Sequence, residues 1–151
     1  MVDALLTQAP SDDATLLLAR PRSLGPSRTA SWEFPADPAV VSRARALPTR
    51  QLAQWGLEYL AESTELIVSE LITNAVRHGI GPIRLCLMRH QFLTCEVHDT
   101  GCSSPRLRHP RTADENERGL FLVAQLSRNW GTRHTPDGKL IWVEQQLAPH
   151  A

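Results

Sequence analysis

Two apolar runs of equal parity constrain this chain more than any other feature. Residues Ile83 to Met88 and Phe92 to Asp99 alternate in polarity, with a short polar turn at Arg89-His90-Gln91 between them. Ile83, Leu85 and Leu87 are apolar at odd positions, and so are Leu93, Cys95 and Val97. Successive side chains of a strand point to opposite faces, so an antiparallel hairpin gathers all six on one buried face. Asp99 shares their parity, which predicts a carboxylate at the end of that face, beneath the layer that covers the sheet. Arg84, Glu96 and His98 fall on the other face, expected to meet solvent. Cys86 and Cys95 are then on opposite faces. With three cysteines and no Cys-x-x-Cys pair, neither a zinc site nor a disulfide framework is supported.

The rest of the chain supplies helices for one side of this sheet. Residues 1–30 hold Pro10, Pro21 and Pro26 without a sustained apolar period, and read as a flexible N-terminal extension. An ordered domain is expected over 31–148, opening with a short strand at Ser31-Trp32-Glu33-Phe34. Asp37 and Pro38 then start a helix from about Ala39 to Trp55, which Pro48 should kink or divide and Gly56 should close. A second helix runs from about Ala61 to Arg77, with Leu66, Ile67, Leu71 and Ala75 as a core-facing stripe. After the hairpin, Cys102 to about Glu117 is polar and aperiodic, as a lid or binding loop would be. Gly119 is expected to open a third helix, Leu120 to about Trp130, ended by Gly131. A last hairpin follows, with Thr132 to His134, a Pro136-Asp137-Gly138 turn and Leu140 to Leu147. The predicted fold is α+β: a two-layer sandwich with helices on one face of a mixed, mainly antiparallel sheet.

Three places on these elements can carry chemistry. Glu70 and Asn74 are four apart on the second helix, about 6 Å along its axis and on one face. An amide oxygen there suits Mg²⁺, and a neighbouring carboxylate can take a proton from an attacking hydroxyl. Asp99 can accept from the amino group of a base, and Gly101 removes a side chain where a planar ring must approach the backbone. Gly119 at a helix start would turn free N–H groups toward phosphates. Taken singly each is an ordinary feature: a solvated pair, a turn, a cap. His78 extends the Glu70–Asn74 face, but no further nitrogen or sulfur ligands accompany it, and it suits the helix C-terminus. Arg106, Arg108 and Arg111 are read as solvated, with a clamp on a triphosphate as the sharper alternative.

In order, these segments resemble a known set of motifs. Glu70-Leu71-Ile72-Thr73-Asn74-Ala75-Val76-Arg77-His78-Gly79 resembles the N box of the GHKL (Bergerat-fold) ATPase superfamily. Val97-His98-Asp99-Thr100-Gly101 resembles its first glycine box, and Glu117-Arg118-Gly119-Leu120-Phe121-Leu122-Val123 its second. The likeness covers roughly Trp32 to Leu147 and is nearest to anti-sigma-factor serine/threonine kinases and the ATP-binding regulators of actinobacteria. It implies a histidine-kinase-like ATPase domain that binds ATP with Mg²⁺. Asn74 would ligate the metal and Glu70 would act as general base toward a partner's serine or threonine. Asp99 and Gly101 would hold the adenine, and Arg118, Gly119 and Leu120 would meet the nucleotide. The implied partners are a sigma factor and an anti-sigma-factor antagonist protein, with a homodimer left open.

The sequence departs from that pattern at three positions. Cys102 follows Gly101 where a second glycine is usual, and Glu117 stands two before Gly119 where glycine is frequent. Leu140 occupies the place of a threonine that often supports the adenine-binding aspartate. These departures motivate an alternative: a catalytically weak or inactive module that regulates transcription by stoichiometric partner binding. Sixteen basic and sixteen acidic side chains leave no field to attract nucleic acid or anionic lipid. No apolar run approaches the ~20 residues of a membrane span, and the start lacks a secretory pattern, so a cytoplasmic location is expected.

Overall fold

A computed structural model describes residues 25–101 and 115–148, the latter without the side chains of 115–118 and 120. Five strands and three helices follow in the order β1 (Thr29–Phe34), α1 (Val40–Gln54), α2 (Ala61–His78), β2 (Ile83–Arg89), β3 (Phe92–Asp99), α3 (Glu115–Leu126), β4 (Asn129–Thr135) and β5 (Gly138–Gln146). The strands lie in the order β1-β2-β3-β5-β4, and every pairing is antiparallel. The expected α+β sandwich is therefore present, with a purely antiparallel sheet rather than a mixed one. Its first strand begins at Thr29, two residues inside the predicted extension. Residues 1–24 of that extension lie outside the described residues, as do most of the predicted lid and its arginines.

Parity in the hairpin holds throughout. Leu85 faces Val97 and Leu87 faces Cys95 across β2 and β3, and all are buried, as are Ile83 and Leu93. β5 continues the same face with Ile141 and Val143, and β1 adds Phe34. On the other face Cys86 pairs with Glu96, and burial raises both the thiol and the carboxyl above their ordinary values.

α2 lies over the middle of the inner face and contributes Ile67, Val68, Leu71, Ile72 and Ala75 to the core. The three- and four-residue spacing of that set defines one stripe. Leu66 is off the stripe and 38% exposed, contrary to the core position expected for it. Two polar contacts fix the helix lengthwise. The Thr64 hydroxyl donates to Gln145 Oε1 at 2.7 Å, and Gln145 Nε2 donates to Ser63 Oγ at 2.8 Å. From Thr64 to Gly79 the helix advances about 22 Å, and from Gln145 back to Lys139 β5 spans about 20 Å. Anchoring one end of α2 on Gln145 therefore brings its other end to the Asp99–Lys139 pair of the sheet.

Other expectations need correction. Pro48 lies inside α1 without dividing it, and its ring is buried, so packing offsets the lost hydrogen bond. That helix closes as expected at Gly56, which has a φ of 69°. Leu57 N–H donates to Leu52 O and Gly56 N–H to Ala53 O, the two bonds of a Schellman cap. α3 starts at Glu115, so Gly119 is its fifth residue and does not open it. Trp130 and Gly131 belong to β4, where Gly131 leaves room for the Trp142 ring 2.7 Å from where a Cβ would stand. Among the described residues no helix is long and apolar enough to cross a membrane.

Candidate functional site

The site is built where β3 ends against the C-terminus of α2. β3 carries its alternation to Asp99, whose side chain points to the helix-covered face and is 1% exposed. Asp99 Oδ1 accepts the Gly101 N–H at 2.8 Å, which turns the chain sharply out of the strand. The next residue secures the turn: Thr100 Oγ1 donates to Ile80 O at 2.6 Å, and Thr100 N–H donates to the same oxygen at 2.9 Å.

Two glycines close on this carboxylate and a third on the backbone that carries it. A Cβ on Gly79 would stand 2.7 Å from Asp99 Cγ, and one on Gly101 would stand 2.9 Å from Gly79 Cα and from Asp99 Oδ1. Gly138, at a φ of 153°, would bring a Cβ to 2.7 Å from Thr100 Cα. At each position backbone also stands in the way, Ala75 O at Gly79, Gly79 Cα at Gly101 and Asp99 O at Gly138, so a side chain there could not be accommodated by a shift of Asp99 alone. Of the three, only Gly101 is a site residue legible in the sequence; Gly79 reads as a helix end within the N box, and Gly138 as a turn residue.

Lys139 is the residue that sequence reasoning missed. It pairs with Asp99 across β3 and β5, is 1% exposed, and holds its Nζ 3.6 Å from Asp99 Oδ2. It is also the only lysine in the chain. Leu140, compared above with a supporting threonine, pairs with His98 and belongs to the opposite face. Parity was the available signal, because Ile141, Val143 and Gln145 are inward and odd-numbered, and so is Lys139.

The second part of the site lies along α2 toward its N-terminus. Asn74 comes about 7.5 Å before Gly79 along the helix axis, and Glu70 about 6 Å before Asn74. Asn74 Nδ2 is buried and has no hydrogen-bond partner among the described residues. A buried donor left unpaired costs about 1–3 kcal/mol, so this atom fits a position where an acceptor is supplied from beyond the described residues. Glu70 lies against α3: a Cβ on Gly119 would collide with Glu70 Oε2 and stand 2.8 Å from its Cδ. Gly119 is buried. It therefore serves as the flat spot on α3 that admits a carboxylate from α2, not as a helix start.

The structure thus brings Glu70 together with Gly119, and Asp99 together with Gly101, with Asn74 between the two groups on α2. Arg118 and Leu120 are on α3, and their side chains lie outside the described residues, as does the side chain of Glu117. Cys102 also lies outside them.

No curated protein matches the chain. Among solved structures it is similar to the histidine kinase domain of the blue-light activated histidine kinase from Erythrobacter litoralis EL346, at 24% identity and a TM-score of 0.44. That likeness covers 58% of this chain and 44% of the other, so this chain spans less than half of the protein it matches. Residues 34–144 match the family model of the histidine kinase-like ATPase domain, and the chain belongs to that family.

Proposed function

We propose that this protein binds Mg-ATP between α2, the end of β3 and α3, and transfers its γ-phosphoryl group to a serine or threonine of a protein partner. In this reading the adenine meets Asp99 and Gly101, and Asn74 would hold Mg²⁺ through its amide oxygen, leaving the unpaired Nδ2 to donate to the nucleotide. Glu70 accepts the proton of the attacking hydroxyl as its oxygen bonds to the γ-phosphorus. The bond from that phosphorus to the bridging oxygen breaks, and ADP leaves. Positioning and Mg²⁺ electrostatics supply most of the rate, and the chain's own part is to hold these groups in line. The partner is a sigma-factor regulator: the protein sequesters the sigma factor and phosphorylates its antagonist.

The observation that carries this reading is the convergence of three distant segments, with Gly119 against Glu70 and Gly79 and Gly101 against Asp99. The test is transfer of labelled γ-phosphate to a co-encoded antagonist protein. Glu70→Gln, which keeps the shape and removes the base, is expected to lower the rate by about 10²–10⁴. Equal transfer by the variant removes Glu70 from the mechanism.

A second reading is favoured by one feature. Asp99 already has Gly101 N–H on Oδ1 and Lys139 beside Oδ2, so its carboxylate is engaged without a base. A module that captures its partner without turnover would keep such a pair closed. Calorimetric titration with Mg-ATP separates the two readings, because capture alone predicts no affinity tighter than millimolar.

A further inference from the structure

A groove of about 580 Å³ adjoins the candidate site at Glu70 and runs between α1, α2, α3 and the short turn at Glu58–Leu60. Leu66 on α2 and Leu126 on α3 line it, each 38% exposed, with Tyr59 beside them at 54%. These side chains are not spare core residues. α2 buries Ile67, Val68, Leu71 and Ile72 on its sheet-facing stripe, and α3 buries Val123, so the groove is formed from a second apolar face. Its rim is acidic. Glu62 and Glu65 flank Leu66, Glu70 also lines the groove, and among the described residues Arg45 is the one basic side chain in the lining. Among the described residues, three carboxylates against one guanidinium give a negative rim around an apolar floor.

That combination is the complement of an amphipathic segment with leucine-like residues on one face and Lys or Arg on its flanks. The position of Glu70 adds a direction, because the carboxylate that lines this groove is the same one that meets Gly119 on α3. A chain lying along the groove would run toward the proposed base.

We propose that this groove is the docking site for the phosphoryl-accepting protein, which it engages through a basic amphipathic segment. The segment sets its apolar side chains on Leu66 and Leu126 and its Lys or Arg against Glu62 and Glu65, which brings an adjacent hydroxyl to Glu70. This rests on the kinase reading for the role of the segment, though not for its binding.

The experiment uses the full chain and two fluorescent amphipathic peptides, identical in their leucines, one flanked by lysines and the other by glutamates. Anisotropy titration is expected to show the lysine peptide binding about tenfold tighter or more, a difference of about 1.4 kcal/mol, and weakening with salt. The double variant Glu62→Lys, Glu65→Lys should reverse the preference, and Leu126→Asp should weaken both peptides, with Mg-ATP affinity unchanged in each. Equal binding of the two peptides, or a preference that survives the double charge reversal, overturns the proposal. So does a finding that Leu126→Asp splits a dimer without changing peptide binding, since the groove would then hold a second copy of the chain. Failure of Mg-ATP to bind or turn over, with the peptide preference intact, removes the kinase reading and leaves the groove. Turnover without the preference does the reverse.

Discussion

Replacing Gly119 by alanine is expected to leave the protein folded, at equal or greater thermal stability, and, under the kinase function proposed above, to lower phosphoryl transfer about 10²–10⁴-fold. The two effects have separate causes. Gly119 is the fifth residue of α3, and glycine inside a helix is about 1 kcal/mol less favourable than alanine. The added Cβ meets the Glu70 carboxylate, which is the far end of a flexible side chain and can swing away without unfolding anything. The displaced carboxylate no longer reaches the hydroxyl whose proton it should take, and loss of a positioned general base accounts for the fall in rate. Thermal unfolding and single-turnover transfer, measured on the same preparation, check both halves. A variant with wild-type transfer means that Gly119 does not position a base. A variant that fails to fold means that the contact is structural.

Lys139→Met should be the most destabilising single change in the site, costing about 3–5 kcal/mol in a urea titration. The Lys139 ammonium and the Asp99 carboxylate are both 1% exposed and face each other across β3 and β5 at 3.6 Å. Removing one partner of such a pair leaves the other buried and uncompensated. Methionine nearly preserves the volume of the lysine stem, so the loss reports on charge rather than on a cavity. The double variant Asp99→Asn, Lys139→Met should recover most of the loss, because the amide oxygen still accepts the Gly101 N–H and no buried charge remains. A single-variant loss below about 1 kcal/mol would show that the two groups do not depend on one another.

The hairpin and its carboxylate were legible in the sequence because parity is local. Residues 83 to 99 need only alternation to place Asp99 on the buried face, and the structure places it there. Glu70 and Asn74 were legible because helical spacing sets their separation before any packing is known. Contacts between distant segments were harder to read. Gly119 looked like a helix start because glycine commonly stands at helix ends. It lies inside α3 because a carboxylate from α2 needs the space, and no window of sequence contains both residues. Leu66 matched the core spacing of α2 but lines the same groove as Leu126, a placement set by how α2 and α3 pack. Lys139 had a readable parity, yet its importance comes from the β3–β5 register, which only the folded sheet fixes. Pro48 shows the limit of local rules in another way: burial of its ring holds together a helix that propensity alone would break.

The central claim is that α2, the end of β3 and α3 form one nucleotide site. Amide chemical-shift mapping during titration with Mg-ATP tests it most directly, because each segment carries its own reporters. The account predicts saturable shifts at Asn74 and Gly79, at Thr100 and Gly101, and at Gly119, all following one binding curve. Shifts confined to one of the three segments, or none up to millimolar nucleotide, would contradict it.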